Sequence, residues 1–160
     1  MIDSQSVKTA ADSEERGFDG GKKIKERKRH IVTDIEGSIL AVRVYAANIH
    51  DTKGGCAVFA RAFWKYTSLL GVCGDEGYKG TFFGSVKSLK LTCDISERIK
   101  PKFEILPKRW RVERTFVWMG NYRGLSKDYE ITTASAETNI MIAHTHTLLR
   151  RCFPPRAKKL

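Results

Sequence analysis

The chain has 160 residues, enough for one domain, and 41% of them are apolar, enough for a core. Lys and Arg number 29 against 18 Asp and Glu, a net charge of +11, which favours a polyanionic partner. No run approaches the ~18 apolar residues a membrane helix needs, and the opening MIDSQSVKTAADSEERG lacks the apolar segment of a secretory signal, so neither a membrane protein nor an exported one is expected.

In chain order, Met1–Lys8 is weakly strand-like, and 10–21 is polar and ends in the turn signal Asp19-Gly20-Gly21. The basic run Gly21–His30 leads into a strand, HIVTD, with a turn at Ile35-Glu36-Gly37. The β-branched run Ser38–Asn48 then reads as the strongest strand of the chain and the second arm of a hairpin. Asp51 and Thr52 are good N-cap types, and a helix is expected from there to about Tyr66 despite Gly54 and Gly55. A short buried strand over Leu69–Cys73, a short helix over Thr81–Leu89 and a strand over Lys90–Ile95 follow. After Pro107 the pattern turns helical: Val112, Phe116 and Met119 form one apolar stripe. A last helix is expected over Ser135–Arg151. The order predicts a mixed α/β sheet with helices on its faces, residues 1–151 forming one domain and 152–160 a basic tail.

Cys56, Cys73, Cys93 and Cys152 are scattered, as reduced thiols of a cytoplasmic protein would be. His144 and His146 are two apart on a helix, the wrong spacing for a shared metal. Cutting a phosphodiester requires an activated attacking oxygen and a stabilised leaving oxygen. Two Mg²⁺ ions serve both needs when a few carboxylates hold them. Three acids suit such a role: Asp3 in the first strand, Asp75 at a glycine-flanked strand end, and Glu113 on the helix after Pro107 among Arg109, Arg111 and Arg114. Taken singly, each also reads as an ordinary cap residue or surface ion pair.

Three segments resemble bacterial insertion-sequence transposases of the fourth and fifth insertion-sequence families, most closely the fifth. They are IDSQSVKT with GFDGGKKIKERKRHIVTD (residues 2–9 and 17–34), AANIHDTKG with GDEGYKG (46–54 and 74–80), and FEILPKRWRVERTFVWMGNYRGLSKDYE (103–130). The resemblance implies the catalytic part of a DDE enzyme with an RNase H-like fold, its first strand truncated at the N-terminus. It places the catalytic and metal-binding triad at Asp3, Asp75 and Glu113, with Mg²⁺ as cofactor and Mn²⁺ as a substitute. Arg109 matches the arginine of the family's Tyr-Arg-Glu-Lys signature. Leu106 and Gly120 stand where its tyrosine and lysine would be, leaving Arg123 or Lys127 to contact a terminal phosphate. Glu26 stands where the family usually has glycine.

The implied activity is metal-dependent strand cleavage and strand transfer at element ends. The implied partners are double-stranded DNA, as element ends and target, and a transposase oligomer or an upstream-frame product, in a nucleoid-associated setting. An inactive remnant that binds DNA or intact transposase is the alternative, and a general RNase H-like nuclease a third reading. DNA contacts are expected from Lys22, Lys23, Lys25, Arg27, Lys28, Arg29, Arg109, Arg114, Arg123 and Lys127, the basic run being read as phosphate-facing rather than as a solvated edge. Trp110 and Trp118 are expected to pack in the core.

Overall fold

The structure, a computed structural model, describes residues 1–10, 12–20, 23–96 and 107–154, with only the backbone described at 24 and 107–109. Among the described residues, six strands and four helices follow one another as β1 (Ile2–Lys8), β2 (Gly17–Asp19), β3 (Ile24–Thr33), β4 (Ile39–Ala46), α1 (Asp51–Lys65), β5 (Gly71–Asp75), α2 (Thr81–Ser88), β6 (Thr92–Ser96), α3 (Pro107–Gly120) and α4 (Thr133–Cys152). Short 3₁₀ turns at Glu76–Tyr78 and Arg123–Leu125 follow β5 and α3. The mixed α/β order expected from sequence is therefore present, with β2 as an addition too short to carry a sequence signal.

β3 is the spine of a four-stranded antiparallel sheet. β1 pairs with it from Ile2↔Val32 to Lys8↔Glu26, while β4 and the short β2 share its other side. All seven residues of β1 are in register with β3, so Asp3 sits in a paired strand that extends well beyond it. β5 and β6 pair in parallel as a separate two-stranded sheet, and β5 packs beside β1.

Alternation along the strands divides the apolar residues between two faces. Ile31, Val42 and Val44 pack with Val112, Phe116 and Met119 of α3 and with Ala136, Ile140 and Ala143 of α4. Ile2, Val32, Ala41 and Val72 pack with Val58, Phe59 and Ala62 of α1 and with Phe82 and Val86 of α2. The stripe Val112–Phe116–Met119 lies in the core as its spacing predicted.

The basic run departs from expectation. From Ile24 on it is part of β3, and Glu26, Arg27, Lys28, Arg29 and His30 are all buried. Arg27, fully buried, donates to the carbonyls of Glu14, Glu130 and Ile131 at 2.6–2.9 Å and faces the Asp128 carboxylate at 3.3 Å. Arg29 donates to the carbonyls of Leu125 and Lys127 at 2.7 and 3.0 Å. These two guanidiniums therefore hold the α3–α4 connection against the sheet. Lys28 reaches the other face, donating to the Ile49 carbonyl and pairing with Asp51 at 3.0 Å.

Two glycines that sequence reading counted against α1 have a packing reason. A Cβ on Gly54 would overlap the Tyr45 hydroxyl, and one on Gly55 would lie 2.9 Å from Cε1 of Tyr78. Helix glycine costs about 1 kcal/mol against alanine, and here it lets α1 rest directly on two buried phenols. The helix is capped by His50, whose ring accepts from the Thr52 amide, rather than by Asp51.

The free edge of β4 is covered by side chains. The Ile39 amide donates to His144 Nε2 at 2.9 Å, the Val44 amide to Glu137 at 3.0 Å, and Arg61 donates to the Val42 carbonyl at 3.0 Å. Arg61 also pairs with Glu137 at 2.6 Å, closing a clasp between α1 and α4. No helix among the described residues is long and apolar enough to cross a membrane.

Candidate active site

Asp3, Asp75 and Glu113 lie on β1, β5 and α3. Ile2 belongs to the α1–α2 face, and its Cγ2 would be 3.2 Å from a Cβ on Gly74. These two strands thus run side by side at Ile2 and Gly74, and in each the next residue points to the opposite face. That residue is Asp3 in β1 and Asp75 in β5. The cross-strand partner of Asp3 is Ile31, which packs under α3 and α4. α3 crosses this face in contact with both β1 and β5, and Glu113 follows fully buried Val112 on it, itself exposed.

Local hydrogen bonds orient both aspartates. Asp3 Oδ1 accepts from the Ser4 amide at 2.7 Å, and Asp75 Oδ1 from the Gly77 amide at 2.9 Å, which caps the 3₁₀ turn after β5. The start of α3 is fixed on the β3–β4 turn. Arg111 donates to the Ile35 carbonyl, Arg114 to that of Glu36, and Thr115 Oγ1 to that of Gly37. Gly37 takes φ +84, and a Cβ there would lie 2.8 Å from Thr115 Oγ1, so glycine serves both the turn and the approach of α3. Among the described residues, no group of three or more His, Cys, Asp or Glu side chains is gathered closely enough to hold a metal ion. Asp3 and Asp75 thus share the face that α3 crosses, and the acids do not close into a coordination shell.

The cations expected at DNA occupy different settings. Lys23, Lys25, Arg123 and Lys127 are exposed. Arg27, Lys28 and Arg29 are spent inside the protein, contrary to the reading of the run as a phosphate-facing edge, because carbonyls and carboxylates far away in sequence meet them there. Arg114 is half-buried between Trp110 and Trp118, 4.7 Å from each ring, and Arg151 lies 5.1 Å from Trp118. Trp110 is exposed, so the expectation that it packs in the core does not hold. Lys22 and the Arg109 side chain lie outside the described residues, as does Leu106.

Beneath Asp3 and Asp75 lies a polar chain that sequence reading missed. His30 Nε2 is 2.7 Å from the Tyr78 hydroxyl, and His30 Nδ1 bonds the Tyr45 hydroxyl. All three residues are buried. Burial lowers the His30 pKa to about 3, with the nearby Asp51 charge opposing, so the ring is neutral. Burial, then the charges of Asp3, Asp51 and Asp75, holds the Tyr78 hydroxyl far above the usual phenol range. Burial works against ionisation of Asp51, but hydrogen bonds from Ser4 and Lys28 and the charge of Lys28 outweigh it, leaving that carboxyl below its usual value. The hints of this network in sequence are that glycines flank Tyr78, which suits a positioning or packing role, and that His30, Tyr45 and Tyr78 sit within or beside the matched segments.

Neither a curated protein nor a solved structure matches the chain. A family model described as Transposase DDE domain matches residues 1–148, nearly the whole chain. With this match along almost its full length, the chain belongs to the DDE-domain transposases.

Proposed function

We propose that the chain cuts DNA at the ends of an insertion sequence and joins the freed 3′-hydroxyl to target DNA, with Asp3, Asp75 and Glu113 as the acids of its DDE triad. The observation that carries this reading is the placement of Asp3 and Asp75 as side-by-side neighbours on the face that α3, bearing Glu113, crosses. The donor set suits a hard cation, since all three are carboxylates from separate elements and none is replaced by sulfur or imidazole. Asp3, Asp75 and Glu113 would hold Mg²⁺ or Mn²⁺. When bound, such ions stabilise the charge that develops on the attacking and leaving oxygens. The Ser4 and Gly77 amides fix the direction of the two aspartates. The docking of Arg111, Arg114 and Thr115 on the β3–β4 turn fixes the helix that presents Glu113.

An RNase H-like arrangement fits the strand neighbours: β4, β3 and β1 in hydrogen-bonded order, then β5 beside β1, with β6 parallel to β5. The segments around the three acids resemble the fifth insertion-sequence family most closely, which supports reading the chain as one of its members. DNA would meet exposed Lys23, Lys25, Arg123 and Lys127, which would position the duplex through its phosphates rather than read its bases.

Purified chain incubated in Mg²⁺ or Mn²⁺ with a duplex carrying the parent element's end is expected to cleave it, and Glu113→Gln to abolish the cleavage. Cleavage that persists in Glu113→Gln would sink the triad. DNA binding without metal-dependent cleavage would favour a binding remnant instead.

A further inference from the structure

The two candidate aspartates stand on two different sheets. No backbone ladder joins β1 to β5, so their separation depends on side chains between the sheets. One is the apolar contact of Ile2 with the backbone of Gly74. A second is polar: Tyr78, at the end of the 3₁₀ turn that Asp75 caps, bonds through its hydroxyl to His30 on β3, the strand paired to β1. His30 is in turn bonded to Tyr45 on β4. A neutral imidazole has one N–H and one lone pair, so one phenol accepts from the ring and the other donates to it. The ring can turn neither way without losing a partner. Phe82 packs edge-on against Tyr78 with ring centroids 5.2 Å apart, and Gly54 and Gly55 of α1 close over the phenols.

We infer that His30 and Tyr78 are positioning residues, forming a buried strut that sets Asp75 in place against Asp3. The inference rests on the triad reading above, but concerns residues that reading leaves out. Cutting the strut should let the Asp75 turn shift relative to β1 while both sheets persist, because the strut is one hydrogen bond within a packed apolar layer. Partners that orient the ligands of a metal site are worth on the order of 10–100-fold in metal affinity.

The test is Mn²⁺ binding to the full chain, read from the electron paramagnetic resonance of free Mn²⁺, with thermal melting recorded on each variant. Tyr78→Phe removes only the hydroxyl and keeps the ring in its packing. It is expected to weaken Mn²⁺ binding about tenfold, with a smaller effect from Tyr45→Phe, whose hydroxyl does not touch the Asp75 turn. At His30 the conservative exchanges separate the two nitrogens. His30→Gln places an amide near the former Nε2 and is expected to preserve most of the affinity. His30→Asn places it near Nδ1 and is expected to behave like Tyr78→Phe. A merely structural role would lower the melting temperature of Tyr78→Phe and Tyr45→Phe alike and leave the order of Mn²⁺ affinities unrelated to Tyr78. If Tyr78→Phe binds Mn²⁺ like the parent chain while Asp75→Asn loses it, the strut is overturned and the triad reading stands. If Asp3→Asn and Asp75→Asn both bind like the parent, the triad reading falls and the strut with it.

Discussion

The two halves of β3 solve one burial problem in opposite ways. From Ile31 to Thr33 the strand presents Ile31 to the helices on one face and Val32 to those on the other, and the sheet closes by apolar packing. From Glu26 to His30 it is as deeply buried, yet every side chain is ionisable. Arg27 and Arg29 turn toward the α3–α4 connection, Lys28 and His30 toward α1 and the turn after β5. The apolar half needs only shape, whereas the polar half needs particular partners at particular distances. A buried guanidinium is tolerable only when carbonyls and carboxylates replace its water. The polar half therefore specifies where the connecting segments lie, which the apolar half cannot do.

The comparison is broken most directly at Arg27. Arg27→Met strands the Asp128 carboxylate and three carbonyls, and should cost about 3–5 kcal/mol, read as a lower urea midpoint with little change in slope. Ile31→Val in the apolar half should cost only about 1 kcal/mol. Equal losses at the two sites would erase the distinction.

Acid sharpens it further. The pKa of His30 is about 3 in the fold, against about 6.5 in an unfolded chain. With the folded value depressed, the unfolded state takes up the proton first. The stabilisation is complete above pH ~6.5 and is lost as pH falls toward the folded value. Stability should drop by up to about 1.4 kcal/mol per pH unit from this one proton. His30→Gln should remove that slope in pH-dependent urea titrations. His144, also shifted downward by burial, leaves a residual slope of the same sign.

Much of the architecture could be read from local pattern alone. The run around Ile39–Ala46 announced β4, and the spacing of Val112, Phe116 and Met119 announced which side of α3 is buried. β1 was faint because IDSQSVK has only Ile2 and Val7 as buried apolar residues, its other side chains being polar. The charged half of β3 was misread for a different reason. A run of Lys and Arg looks solvated unless the partners are known, and all but one of those of Arg27 lie more than a hundred residues onward. Residue type and segment resemblance point to Asp3, Asp75 and Glu113, but the bonds through His30 join three distant segments and carry no periodicity. The α1 glycines read as a defect in sequence alone, whereas Tyr45 and Tyr78 lie directly beneath them.

The smallest effect on stability belongs to the exposed end of the same basic run. Lys23→Ala with Lys25→Ala should change stability by no more than about 0.5 kcal/mol. The plot of log DNA affinity against log salt should nevertheless flatten by about two units if both lysines contact phosphates. A parent-like salt slope would mean that this end too serves only the fold.

The clasp over the free edge of β4 carries a consequence for how the chain is made. An uncovered strand edge is a template for other strands. Here the Val44 amide is covered by Glu137, 93 residues further along the chain. A ribosome adding about 5–20 residues per second leaves on the order of ten seconds between the two. A β3–β4 hairpin that pairs within that interval has its outer rim bare, and the last helix then works as a latch that arrives late. Nascent chains crowded on one message are therefore most exposed to mutual strand pairing just before α4 is complete. Once Arg61 and Glu137 have met, the Val42 carbonyl and Val44 amide no longer offer themselves to another strand.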